Sequence, residues 1–432
     1  MQTYSEFIAS KVRRVNDLGL RIDASVLPSQ LFDWQTQIVQ WALRKGSAAI
    51  WADCGLGKTA MQLAWADHIP GRVLILAPLC VAEQSVAEGL KFGIEVHYAR
   101  GQGGAGDHRI VITNYEMLDR FDVTQFAGVV LDEASILKSF EGKIRTALIK
   151  TFARTKYRLC CTATPSPNDI AELANHAEFL GLMTRQEFLA TWFVHDDQGW
   201  RMKGHAVQPF YRWLASWAIA MRKPSDIGYD DTGYELPPLT ITDHVVEGGD
   251  PGGVLFPELG LKGITGRQKA RRASIEDRCK KVVELVKSAV SDQWILWCGL
   301  NAESDALGEL AGAVNVQGSD SYEKKRAAVL GFVSGKHNIL VSKSKIVGFG
   351  LNFQHCHHMA FVGIGDSYEQ YYQMIRRCWR FGQQHPVDAH IVVSNSERAI
   401  VSNVRRKQAD ADEMARQLLV HMREFEREEL AS

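Results

Sequence analysis

No stretch of this 432-residue chain approaches the ~20 consecutive apolar residues that a membrane-crossing helix requires. Residues 1–18 are polar and amphipathic, where a secretory signal would carry an apolar block. Both absences point to a cytoplasmic protein with no membrane partner. The 8 cysteines include no Cys-x-x-Cys pair, which removes a zinc ribbon and fits scattered, reduced, mostly buried thiols. The single dense cluster of metal-type ligands is His355-Cys356-His357-His358. Successive side chains of a strand point to opposite faces and cannot all meet one ion, so this cluster reads as a strand edge. Charge of one sign is lacking too, since Lys+Arg and Asp+Glu number 50 each. Net charge therefore announces no nucleic-acid partner, and any such site must be a local patch.

What is present is the composition of a globular protein, 46% hydrophobic and 23% charged, in a chain long enough for two or three domains. Its centre is residues 48–59, an apolar strand that runs into a glycine-rich turn ending in Gly57-Lys58-Thr59. That is the layout of a phosphate-binding loop. Backbone N–H groups of such a turn face a β-phosphate, Lys58 reaches the β- and γ-oxygens of ATP, and the Thr59 hydroxyl ligates Mg²⁺. The helix that follows turns its positive end to the same phosphates. The strict pattern wants glycine where Ala52 stands, so the match is Ala52-x2-Gly55-x-Gly57-Lys58-Thr59.

Upstream, residues 4–17 read as a helix, and Gln35 precedes a second helix over 36–44. A glutamine there can read adenine through a bidentate amide contact. Downstream, apolar strands at 73–77, 110–113, 128–131 and 157–161 alternate with helical stretches, an α/β signature with a parallel sheet. The third of these ends in Asp132-Glu133, two carboxylates at the C-terminal end of an apolar strand, where open sheets place their chemistry. Asp132 is suited to hold Mg²⁺ through water and Glu133 to polarise an attacking water. Thr162-Ala163-Thr164-Pro165 closes the next strand with small hydroxyl residues.

The pattern loosens over 180–265, with aromatic-rich helices at 188–193 and 210–221 and then a Gly/Pro/Asp-rich stretch, 223–263, read as a linker. The basic run 267–272 is a solvated helix face or a DNA contact. A second α/β unit follows, with strands at 294–298, 338–342 and 359–362, a tight turn at 348–352 and a helix at 371–379 carrying Arg376 and Arg377. A long charged helix or pair of helices, 397–430, has Met414, Leu418, Met422 and Phe425 along one face, expected to pack on the second domain. The division is 1–225, a linker at 226–265, and 266–432.

Taken together, these motifs resemble those of superfamily-two ATPases of the Swi/Snf branch. The resemblance spans about residues 30–395, and the length is similar to that of short members encoded by bacteriophages and prophages. The branch is carried by Ala52-Asp53-x-Gly55-Leu56-Gly57-Lys58-Thr59, by Gly348-x-Gly350-Leu351-Asn352, and above all by Gln373-x3-Arg377-x2-Arg380-Phe381-Gly382-Gln383. It implies two RecA-like lobes with parallel sheets flanked by helices, and ATP in the cleft between them. It implies Arg377 and Arg380 as arginine fingers, Gly350 and Gln373 as nucleotide contacts, and Thr113, Asn114, Ser344 and Lys345 near a DNA backbone. Cys54, Trp379 and Phe353 depart from the family pattern without removing a catalytic group. The function implied is ATP-driven movement along duplex DNA, with targeting by a partner protein; strand separation on DNA or RNA and an ATP-gated binding module are the rivals.

Overall fold

The computed structural model of the protein describes residues 14–431 apart from 79–80, 139–141, 167–168, 197–198, 248–271, 311, 344–351 and 366. The expected helix over 4–17 therefore lies almost wholly outside the described residues. Two compact units form: Met1–Tyr234 together with Asp410–Ser432, and Glu235–Ala409.

The first unit is built on a seven-stranded, fully parallel sheet. Its strands are β1 (Ser47–Ala52), β2 (Val73–Ala77), β3 (His97–Tyr98), β4 (Ile110–Asn114), β5 (Gly128–Asp132), β6 (Tyr157–Cys161) and, after a small antiparallel hairpin of β7 (Phe193–Asp196) and β8 (Gly199–Met202), β9 (Ala218–Met221). The order across the sheet is β3-β4-β2-β5-β6-β1-β9. Along β1, Ala49 and Trp51 enter one apolar layer while Ala48, Ile50 and Ala52 enter the other. Such two-sided burial is what turns a parallel strand into an unbroken apolar run. One layer is dominated by α1 (Asp33–Lys45) and α2 (Lys58–His68), and the other by aromatic residues from 188–217, including Phe188, Phe210, Trp213 and Trp217.

Three expectations are corrected here. Residues 218–221 are not the end of a helix but the edge strand β9, paired with β1 from Ala49↔Ala218 to Ala52↔Met221. All four side chains, Ala218 to Met221, are buried, the two-sided burial that a strand beside β1 provides. The stretch read as a linker holds an eight-residue strand, β10 (Leu239–Val246). And the long terminal helix, α3 (Arg398–Ala431), sends Leu418, Met422 and Phe425 into the aromatic layer of the first unit rather than onto the second.

In the second unit β10 joins β11 (Trp294–Cys298), β12 (Ala313–Val316), β13 (Ile339–Lys343), β14 (His358–Val362) and β15 (Val387–Ser394) in a parallel sheet of order β10-β15-β14-β11-β13-β12. Its C-terminal edge is tied by a fully buried guanidinium. Arg278 meets Glu303 at 2.7 Å and Glu397 at 3.3 Å, and donates to the carbonyl of Val362 at 2.9 Å. Glu303 in turn accepts from the N–H groups of Gly299 and Leu300, so the ends of β11, β14 and β15 share one charge network. Both units are parallel sheets flanked by helices, the RecA-like arrangement.

The docked part of α3 carries a buried carboxyl. Glu426 accepts the N–H of Ala220 on the open side of β9 at 2.7 Å, while its other oxygen is buried without a partner. Burial, reinforced by Asp226, pushes its pKa from 4.5 to about 8. A carboxyl that is neutral in the fold and ionised in the unfolded chain makes folding take up a proton. Its contribution is complete below about 4.5 and lost as pH rises through about 8. Melting temperature should therefore fall for the parent as pH rises from about 4.5 to about 8, and fall less for Glu426→Gln. Parallel melting curves of the two proteins across that range would remove Glu426 as the cause.

Candidate nucleotide site

The strand ends of β1, β6 and β5 lie side by side, and each delivers one part of a site. After β1 the chain turns through Gly55 and Gly57, whose φ values of 92° and 69° suit glycine. A Cβ at Gly57 would also stand 2.4 Å from the Gln35 side-chain nitrogen. Ala52 needs no such freedom, because it ends β1 in register with Met221 and has no positive φ. Its methyl group therefore fits where the strict motif has glycine. Lys58 opens α2 and curls back over the loop, its Nζ donating to the carbonyls of Ala52 at 2.8 Å and Asp53 at 3.1 Å. An ammonium drawn into a turn of backbone N–H groups leaves a cationic pocket that fits a phosphate, which would displace those carbonyls. Thr59 follows, half-buried, at the first turn of α2.

Gln35 is 4% exposed and already engaged with backbone. Its oxygen accepts the N–H of Phe32 at 3.1 Å and its nitrogen donates to the carbonyl of Leu56 at 3.2 Å. An amide has capacity left for one further donor and one further acceptor contact. In this structure its work is to brace the loop.

At the end of β5, Asp132 is held by Gln62, whose Nε2 donates at 2.7 Å, and its carbonyl accepts the Tyr115 hydroxyl at 2.6 Å. Burial raises the Asp132 carboxyl above its ordinary range despite the Gln62 hydrogen bond, and the neighbouring Glu133 charge adds to that while Lys58 opposes it. A divalent cation would relieve this unfavourable burial, so Thr59 and Asp132 suit Mg²⁺ chemically. Glu133 has φ 57°, the one left-handed non-glycine among the described residues. Such a backbone costs on the order of 1 kcal/mol or more and persists where surroundings over-determine it. Here they do: Ser135 and Thr162 both donate to Oε1, at 2.9 and 2.8 Å. Oε2 is the oxygen left to meet a water.

Sequence reasoning missed Gln62, Tyr115 and the hydroxyl pair as parts of the site. Gln62 could have been found, because it lies one helical turn after Lys58 and so faces the same way. Thr113 and Asn114, expected near DNA, are 0% and 3% exposed, and Asn114 donates to Glu116. Both side chains are buried at the end of β4, the strand next to the β3 edge of the sheet. Ser344, Lys345 and Gly350 lie outside the described residues, as does the basic run except Arg272.

Comparison with known proteins follows the same division. Residues 26–200 match the SNF2-related domain and residues 277–382 match the helicase conserved C-terminal domain. The chain belongs to the Swi/Snf branch of superfamily two. It is 28% identical over 180 residues to the ATP-dependent helicase FUN30 of Saccharomyces cerevisiae, a match over 35% of this chain and 16% of that relative's length. Among solved structures, the Sulfolobus solfataricus SWI2/SNF2 ATPase core in complex with dsDNA aligns with a TM-score of 0.44 and 15% identity, covering 92% of this chain and 99% of that one.

The Swi/Snf arginine motif sits on α4 (Tyr368–Cys378) and the turn after it. Gln373, Arg377 and Arg380 are half-buried, and Arg380 donates to Asn352 Oδ1. Gln383 locks the turn, donating to the carbonyls of Cys356 and Cys378 and accepting the N–H of His385. The Trp379 departure is explained locally. Its ring stacks under the Arg376 guanidinium at 4.9 Å and its Nε1 donates to the Pro237 carbonyl at 2.7 Å.

Cys54, within the phosphate loop, is partly exposed, whereas the other described cysteines are buried. A thiol reagent should label Cys54 at a rate that ATP slows, read by peptide mapping. ATP-sensitive label on any peptide but this one would take the nucleotide away from the loop.

Proposed function

We propose that this Swi/Snf-type ATPase binds Mg²⁺·ATP on its first unit and uses hydrolysis to move along duplex DNA. One observation carries the reading: the Lys58 loop and the Asp132-Glu133 pair stand on β1 and β5, one strand apart, with Thr162 at the end of the intervening β6 donating to Glu133. In this reading Gly55, Gly57 and Lys58 hold the phosphates, Gln35 contacts the base while bracing the loop, and Thr59 and Asp132 hold the metal. Glu133 orients the attacking water through Oε2. Bound Mg²⁺ supplies charge neutralisation on the phosphates. Arg377 and Arg380 are proposed as the arginine fingers and Gln373 as a further nucleotide contact, on the strength of the motif. DNA is proposed as the track, with a protein partner for targeting. Strand separation is the second reading, because the family contains enzymes named as helicases.

Lys58→Ala should lose ATP binding as well as turnover, since it deletes the charge facing the phosphates. Glu133→Gln should keep ATP bound while kcat drops roughly 100-fold or more. Titration calorimetry with ATP separates the two, and equal loss of binding in both variants would show Glu133 to be misassigned.

The track is tested by measuring ATPase with no nucleic acid, duplex DNA, single-stranded DNA and RNA. Displacement of a triplex-forming strand and release of a strand from a tailed duplex are then compared. Strong duplex stimulation with triplex displacement and little strand release is the expected outcome. Separating each base-pair step costs about 1.4 kcal/mol of stacking, so efficient strand release would mark a different machine.

A further inference from the structure

We propose that Asp292, His357 and His358 form a site for a zinc-class divalent cation on the second unit. One ligand atom from each of the three lies within 4.8 Å of the others. His358 Nε2 and Asp292 Oδ2 are 3.2 Å apart. Ligands at about 2.0–2.2 Å from one tetrahedral ion stand roughly 3–4 Å from each other, so little movement is needed to close on a cation.

The surroundings of His358 match those of a metal-bound imidazole. Its second nitrogen, Nδ1, is buried without a hydrogen-bond partner and faces Asp388 Oδ2 at 3.8 Å. A carboxylate behind the non-ligating nitrogen fixes the tautomer and strengthens the ligand. Trp294 stacks on the same ring at 4.8 Å and fixes its plane. The His385 ring lies 5.1 Å from that of His357, and water would complete the fourth position.

The topology explains how residues from three separate segments meet. Asp292 lies just before β11, His357 and His358 at the start of β14, and Asp388 at the start of β15. These strands are neighbours and parallel, so their first residues share one edge of the sheet. That edge is opposite the strand ends tied by Arg278, and two imidazoles with one carboxylate select a borderline metal over Mg²⁺. The site is therefore distinct from any metal carried with ATP.

Of residues 355–358 only His358 lies on a strand, as the first residue of β14, and His355 and Cys356 are engaged away from the site. His355 packs against Phe332, and the Cys356 thiol donates to the carbonyls of Gln293 and His358. Alternation does not separate the other pair, because His357 precedes the strand and its ring stands 4.4 Å from that of His358.

The test uses the full chain stripped with chelator and titrated with Co²⁺, without nucleotide. The expected result is one equivalent bound with the intense visible bands of four-coordinate, nitrogen-ligated cobalt, displaced by Zn²⁺, and a rise in melting temperature with added metal. Asp292→Asn and His357→Asn should each weaken binding tenfold or more, and Asp388→Asn by about 10–100-fold. Asp292 and His357 are both partly exposed, so the metal-free melting temperatures of their variants should stay near that of the parent. Should a variant fail to fold, electron paramagnetic resonance of the Cu²⁺-loaded parent decides instead, with two nitrogen ligands expected. Absence of stoichiometric binding, binding unchanged in both Asp292→Asn and His357→Asn, or a copper spectrum without nitrogen ligands would each overturn the site.

Discussion

A parallel sheet must carry the chain back across its face before each new strand, so every strand of both large sheets here starts at one edge and ends at the other. The C-terminal edge collects turns that leave a buried strand abruptly, and a turn that leaves abruptly is where backbone N–H groups and short polar side chains can be aimed at a ligand. In the first unit that edge supplies the Lys58 turn, the left-handed Glu133 and the Thr162 hydroxyl. The strain at Glu133 is tolerable because β5 and β6 are locked in register up to Asp132↔Cys161, directly beneath it. Shift that register and the Thr162 hydroxyl no longer reaches Glu133.

How much of this was legible follows from how many faces each element buries. Strands β1, β2, β4, β5 and β6 are apolar on both sides and stood out as runs. β10 and β15 were not seen, and β10 shows why: it is an edge strand with alternating half-buried and exposed positions, so its pattern is diluted by Thr240, Thr242 and His244. β9 was hidden by its length and by the aromatic helix before it. The terminal helix was read correctly as amphipathic but given the wrong partner, since a face of Leu418 and Met422 states that something covers it and not what. Gln35 was read for adenine, and the sequence had no means of showing that its amide was already bonded to Phe32 and Leu56.

Buried charge marks places where those patterns alone do not decide the packing. Lys45, fully buried on α1, is met by Asp17 and Glu429 at 2.8 Å each, and Glu429 also takes Arg14 at 2.7 Å. This cluster fastens the chain before α1 and the end of α3 to one helix. Leaving the buried Lys45 ammonium without its acids would cost up to about 3–5 kcal/mol, because it strands a charge in the interior. The Arg278 network performs the same office in the second unit, where it pins three strand ends beside the apolar cluster of Val282, Val362 and Val392.

The departures from the family pattern separate what a motif needs chemically from what it needs conformationally. Glycine at position 52 would supply freedom that an extended, paired residue does not use, so Ala52 is neutral. Gly57 is different, because its left-handed φ and the Gln35 nitrogen beside it exclude any side chain. Trp379 donates its indole N–H to the Pro237 carbonyl while its ring covers Arg376, so this position is held by packing and one hydrogen bond. Arg377 and Arg380 keep their spacing on α4 and the following turn whichever aromatic residue stands between them. What the sequence must hold constant at this site is therefore the path of the backbone and the few groups that meet charge, and the residues between them are bound only by how they pack.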